Sequence, residues 1–146
     1  MSKIAVFAGT FDPFTIGHQD IVSRTLPLFD HIIIAIGVND EKKTVFSLDK
    51  RLEIIKQAFI NQPKIKTDTY TGLTGEFCKK NNAQFLIRGL RNTIDFQYES
   101  DLAKANKEIF DLETLFFMTS PTLSHVSSSL VREIYKNKGN YLKYLP

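Results

Sequence analysis

The sequence predicts an α/β fold: one domain, residues 1–146, built on a doubly wound, five-stranded parallel sheet with helices on both faces. Three observations carry that prediction. Apolar runs of strand length alternate five times with stretches of helical periodicity, the rhythm of successive βα units. The second run, Ile32-Ile33-Ile34-Ala35-Ile36, is apolar on both of its faces, as a central strand covered by helices on each side must be. No low-complexity stretch or Pro/Gly-rich linker divides the 146 residues, enough chain to bury roughly 68–70% of its extended surface.

The elements follow in order. The first strand is expected near Ile4–Ala8; it breaks at Gly9-Thr10-Phe11-Asp12-Pro13 into a polar turn, and a helix restarts over Gly17–Leu26. The second strand, near Ile32–Gly37, leads to a helix over Leu48–Asn61 that Ser47 can cap. A third strand near Ile65–Thr69 precedes a helix over Thr74–Asn81. A short strand at Phe85–Ile87 precedes a helix over Thr93–Lys107 with Asn92 as its cap. The last strand, near Thr114–Met118, is followed by a helix over Ser127–Asn137, capped by Ser127 and ended by Gly139 in a left-handed conformation. Helix-to-strand links such as Asn61-Gln62-Pro63 read as ordinary turns. Phe110, Phe116 and Phe117 read as core.

Composition excludes several classes. With 42% hydrophobic and 24% charged residues, the chain is neither disordered nor membrane-spanning, and its net charge of +3 is spread too thinly to demand a nucleic-acid partner. Cys78 stands alone, so neither an internal disulfide nor a cysteine-based metal cluster is available, and it reads as a helix residue rather than a nucleophile. The N-terminus runs straight into a strand with no charged, cleavable leader, and cytoplasmic residence without a membrane partner is the expectation.

Open α/β sheets bind ligands beyond the carboxyl ends of their strands, and polar, cationic and glycine residues collect there. The helix after the first strand points unpaired N–H groups and its positive dipole end at that edge, a site suited to phosphate, and His18 in its first turn can donate to a phosphate oxygen. Similar junctions occur in α/β proteins without chemistry. Arg88-Gly89-Leu90-Arg91, placed after the fourth strand, can grip phosphate bidentately or form surface ion pairs. Asp95 and Glu99 share one helix face and either balance those arginines or act as acid and base. Lys42-Lys43 either follow a phosphate or are simply solvated. Ser127-Ser128-Ser129 can hold a triphosphate or merely cap a helix. Neither Gly-x-Gly-x-x-Gly nor a Walker motif is present.

Thr10-Phe11-Asp12-Pro13 with Thr15-Ile16-Gly17-His18 resembles the T/HxGH signature of the nucleotidylyltransferase superfamily. Taken with Lys42-Lys43 before Phe46-Ser47-Leu48, with Ile87-Arg88-Gly89-Leu90-Arg91, with Asp95-Phe96-Gln97-Tyr98-Glu99 and with Ser127-Ser128-Ser129-Leu130-Val131, nearly the whole chain is similar to the bacterial phosphopantetheine adenylyltransferases. The resemblance implies a Rossmann-like fold and transfer of AMP from ATP to 4′-phosphopantetheine, releasing pyrophosphate and dephospho-coenzyme A. It places ATP against Gly9, Thr10, Phe11, His18, Gly89, Leu90, Arg91, Glu99 and the run Leu123, Ser124, His125, Val126, Ser127, Ser128 and Ser129. It places phosphopantetheine near Thr10, Lys42, Thr74 and Arg88, and makes His18 the transition-state stabiliser. It further implies Mg2+ travelling with ATP, no dedicated protein metal site, coenzyme A as a feedback inhibitor, and a homohexamer. Two departures stand out: Leu123 replaces a tryptophan common in the family, and the chain ends at Tyr144-Leu145-Pro146 where relatives commonly continue. Another acceptor or nucleotide, and a silent nucleotide-sensing module, are the rival readings.

Overall fold

The computed structural model describes residues 1–146. The apolar runs become strands β1 (Ile4–Gly9), β2 (His31–Gly37), β3 (Ile65–Tyr70), β4 (Phe85–Leu90) and β5 (Glu113–Met118), alternating with helices α1 (Ile16–Thr25), α2 (Leu48–Ala58), α3 (Thr74–Lys80), α4 (Thr93–Phe110) and α5 (Ser128–Lys136). All pairings are parallel, in the order β3-β2-β1-β4-β5. Strand alternation sends Ala5, Phe7, Ile32, Ile34 and Ile36 to one face, where Ile21 and Val22 of α1 and Ile55 of α2 cover them. Val6, Ala8, Ile33, Ala35 and Leu86 face the other way, against Phe77 and Cys78 of α3. The sheet is doubly wound, as expected.

Chain order reverses direction between β1 and β4, the topological switch where such sheets open a crevice. The β1–β4 ladder runs only from Ala5 opposite Phe85 to Phe7 opposite Ile87. Past that point the Ala8 carbonyl accepts from Arg88 Nη1 at 2.7 Å, a side chain taking the place of a ladder partner.

Ser47, Asn92 and Ser127 cap α2, α4 and α5 as the sequence suggests, accepting from the N–H groups of Lys50, Asp95 and Leu130. Five expectations need correction. β4 does not stop at Ile87: pairing with β5 continues to Leu90 opposite Met118, so Arg88, Gly89 and Leu90 are strand rather than loop. The partner strand supplies the bonds that extend it. Gly139 is not the left-handed residue; Lys138 is, at φ 60°, while the Gly139 N–H returns to the Ile134 carbonyl at 2.8 Å. Glycine is needed there for approach, because a Cβ would stand 2.8 Å from Ile134 Cγ2. α2 ends three residues early, at Ala58, and α4 runs on to Phe110 before Asp111 closes it at φ 54°. Finally, Phe116 and Phe117 are only half-buried, since β5 is an edge strand. No helix is long and apolar enough to cross a membrane.

Candidate active site

The turn after β1 is built on a wedge of phenylalanines. Phe11 takes a left-handed backbone, φ 49°, uncommon for a bulky residue, and its ring is buried edge-on to Phe7 at 5.2 Å and Phe14 at 5.1 Å. Gly9 leaves room for that ring, which a Cβ would meet at 3.0 Å. Thr15 then caps α1, its Oγ1 accepting from the His18 N–H at 3.4 Å, and His18 reciprocates: its Nδ1 accepts from the Thr15 N–H at 2.9 Å. This is a capping box with histidine at the position that glutamate or glutamine usually holds.

The box settles the tautomer. A ring nitrogen that accepts a backbone N–H carries no proton, so neutral His18 is protonated on Nε2. Burial among Phe7, Phe11 and Phe14, then the positive charges of Arg88 and Arg91, push its pKa down to about 4. The imidazole is therefore an uncharged hydrogen-bond donor at neutral pH. Because the folded value lies below the ordinary 6.5, the unfolded chain takes up a proton that the folded one refuses. Stability is expected to fall as pH drops from about 6.5 to about 4, and His18→Gln to flatten that slope relative to wild type; urea midpoints at pH 7 and pH 4.5 measure both.

Around His18 opens a cleft of about 580 Å³ at the switch point. Strand alternation aims Arg88 toward α4, where Nε and Nη2 grip both oxygens of Glu99 at 2.8 and 2.5 Å, while Gly89 faces Ile21 of α1. Arg91 lies 3.6 Å from Asp95. Lys42 Nζ donates to Thr10 Oγ1 at 3.1 Å across the entrance. At the start of α5 the Ser128 hydroxyl donates to the Pro13 carbonyl at 2.8 Å, and Arg132 donates to the Asp12 carbonyl and to Ser129 Oγ at 2.8 and 3.1 Å.

The charge balance decides what the cleft can hold. Six cations line it (Lys42, Lys43, Arg88, Arg91, Arg132 and Lys136) against three carboxylates, Asp12, Asp95 and Glu99. Glu99 is committed to Arg88 and Asp95 sits beside Arg91, while Lys42, Lys43, Arg132 and Lys136 have no carboxylate within 4.0 Å. A polyanion is the complementary ligand. No cluster of three or more His, Cys, Asp or Glu residues is formed.

Of the residues nominated from the sequence, the cleft gathers Gly9, Thr10, Phe11 and His18 from the first βα junction, Lys42 from the second loop, and Arg88, Gly89, Arg91 and Glu99 from β4 and α4. Val126 through Ser129 complete the lining. Leu90 is buried beside it, its carbonyl accepting from the Thr119 N–H and hydroxyl. Leu123, Ser124 and His125 lie outside the lining, with the His125 ring edge-on to Tyr144 at 5.9 Å. Thr74 is outside it too, its hydroxyl 2.7 Å from that of Tyr70. Asp95 and Glu99 prove to balance arginines, and Ser127 to be a cap. Cys78 is fully buried, its thiol pushed up to about 12 by burial, which suits no nucleophile. Sequence reasoning missed Arg132 and Lys136. The available signal was helical spacing, which sets both on one face of α5, four residues apart and C-terminal to the serines.

The pattern of the cytidylyltransferase-like family matches residues 6–134. A phosphopantetheine adenylyltransferase of Cytophaga hutchinsonii is 52% identical, covering 100% of this chain and 98% of its own length. Another, of Flavobacterium psychrophilum, is 48% identical over 97% of this chain and 94% of its own. Among solved structures, a bifunctional NMN adenylyltransferase/ADP ribose pyrophosphatase from Francisella tularensis superposes with a TM-score of 0.77 over 99% of this chain and 45% of that one. At 16% identity it is a likeness of fold alone.

Proposed function

The chain belongs to the phosphopantetheine adenylyltransferase family, and from that membership we propose that it transfers the adenylyl group of ATP to 4′-phosphopantetheine, giving dephospho-coenzyme A and pyrophosphate. The observation that carries the reading is a cleft with three cations more than carboxylates, centred on a neutral histidine that presents Nε2–H. Both substrates are phosphate esters. The reaction gathers their negative charge at one phosphorus and needs positioning and charge stabilisation rather than a protein nucleophile.

In the proposed mechanism an oxygen of the acceptor's phosphate attacks the α-phosphorus of ATP in line. The new O–P bond forms as the bond from that phosphorus to the bridging oxygen breaks, and pyrophosphate leaves with the electron pair. His18 Nε2–H donates to the α-phosphate oxygens as charge builds on them; being neutral, it does not neutralise the attacking oxygen by handing it a proton. Lys42, Thr10 and Arg88 hold the acceptor's phosphate. Arg91, the α5 N-terminus with Ser128 and Ser129, and the unpaired Arg132 and Lys136 take the triphosphate and then the pyrophosphate. Mg2+ carried by ATP would neutralise part of the triphosphate charge and would be held chiefly through the phosphates, since Glu99 is gripped by Arg88 and each Asp12 oxygen accepts a backbone N–H.

Coenzyme A, which repeats the product's skeleton, would occupy both subsites and act as a competing inhibitor. The charged substrates favour a cytoplasmic enzyme. A homohexamer is supported by α4: Glu99 is its one buried residue, and Ile94, Tyr98, Leu102 and Ile109 form a single exposed apolar stripe. The expected light-scattering mass is six times the 16.7 kDa chain, and a monomer at micromolar protein would refute the assembly.

The function itself is tested by pyrophosphate release from MgATP with and without 4′-phosphopantetheine, with the organic product identified by mass. Acceptor-dependent release with dephospho-coenzyme A as product is expected. A folded, ATP-binding protein that turns over no acceptor would overturn the assignment.

A further inference from the structure

Asp12 and Arg51 are the two charged side chains buried most completely, 4% and 5% exposed, and neither has an opposite charge within 4.0 Å. Their partners are all backbone. The Asp12 carboxylate accepts the N–H of Val45 at 2.9 Å and of Phe46 at 2.8 Å, one on each oxygen. Arg51, on α2, donates to the carbonyl of Phe46 at 3.1 Å and to that of Thr10 at 2.9 Å. Four charge-assisted bonds thus tie Val45-Phe46 to the turn containing Thr10. Such bonds are stronger than neutral ones, and a charge is kept in the interior only where they repay its desolvation.

What the tie braces is Lys42. Asn39 through Lys43 are exposed, and apart from Lys42 Nζ on Thr10 Oγ1 their only bonds are local, to Asn39. Arg88, by contrast, stands on a strand and needs no such brace. We infer that Asp12 and Arg51 are positioning residues that latch the loop bearing Lys42 onto the Thr10 turn and so set where the Lys42 ammonium stands in the cleft. Asp12 holds one backbone N–H on each oxygen and acts through the segment it holds. Its consequence for catalysis rests on the assignment of Lys42 to the acceptor's phosphate.

The test is Asp12→Asn, which keeps the volume but turns one acceptor into a donor facing an N–H. Steady-state kinetics should show KM for phosphopantetheine rising about tenfold while KM for ATP stays within about twofold. In a Lys42→Ala background the same change should add nothing further, because the residue it acts through is gone. Amide hydrogen exchange should quicken about tenfold at Val45 and Phe46 and stay unchanged in α1. Equal rises in both KM values, independent effects in the double variant, or unchanged exchange would each overturn the latch. If Asp12→Asn fails to fold, Arg51→Lys, whose single ammonium cannot span both carbonyls, carries the same three measurements. A wild-type protein inert toward phosphopantetheine would sink the Lys42 assignment, and the exchange comparison would still decide the latch.

Discussion

Replacing His18 with alanine is expected to lower kcat by about 10²–10³, the loss of a preorganised donor worth roughly 2.7–4 kcal/mol in the transition state. The substitution has a second, smaller consequence. His18 Nδ1 accepts the Thr15 N–H, so alanine also removes half of the box that starts α1, at a cost of about 1 kcal/mol in stability. His18→Gln separates the two effects. Glutamine is a natural partner in such a box and can accept the same N–H, so its urea midpoint should return to wild type. Its kcat should stay at least about tenfold down, because the imidazole Nε2–H, held by three phenylalanine rings, is gone. A folded alanine variant with near-normal turnover would remove His18 from the mechanism.

Arg88→Ala is expected to destabilise the fold by about 3 kcal/mol, as well as abolishing acceptor binding. The side chain makes three hydrogen bonds, two to Glu99 and one to the Ala8 carbonyl where the β1–β4 ladder ends. Removing it strands a carboxylate whose side chain is only 11% exposed. The arginine, at 33%, keeps some contact with water, which sets the cost at the low end of the range for breaking a buried pair, about 3–5 kcal/mol. Glu99→Ala should cost a similar amount from the other side. The paired change Arg88→Met with Glu99→Leu leaves no orphaned charge and should recover most of the stability in urea unfolding while remaining inactive. Equal stability of the single variants and wild type would show that the ion pair contributes nothing to the fold.

Local rules reached far in this chain. Ser47, Asn92 and Ser127 cap their helices because an N-cap depends on only a few consecutive residues, and the apolar runs of β1 and β2 become central strands because burial of both faces leaves few alternatives. They failed where packing, near or far along the chain, added a constraint that propensity does not carry. β4 runs three residues past its apolar core because β5 offers bonds as far as Met118. Gly139 was a reasonable terminator, yet the left-handed turn fell on Lys138, since Gly139 had to approach Ile134 closely. Thr74 and His125, nominated through family resemblance, have as their contacts the Tyr70 hydroxyl at 2.7 Å and the Tyr144 ring at 5.9 Å.

The order of strand, turn and capped helix, and the collection of glycines, hydroxyls and cations at the strand ends, are properties of neighbouring residues, and so the α/β class and the ligand edge could be read from the chain. Which charges remain available to a ligand is another matter. Arg88 lies eleven residues from Glu99 and eighty from Ala8, Asp12 lies over thirty from the backbone it holds, and Arg132 is 120 from the Asp12 carbonyl. A charge is spent or free according to distances of a few ångströms between such remote groups, and only packing of the sheet and its helices sets those distances.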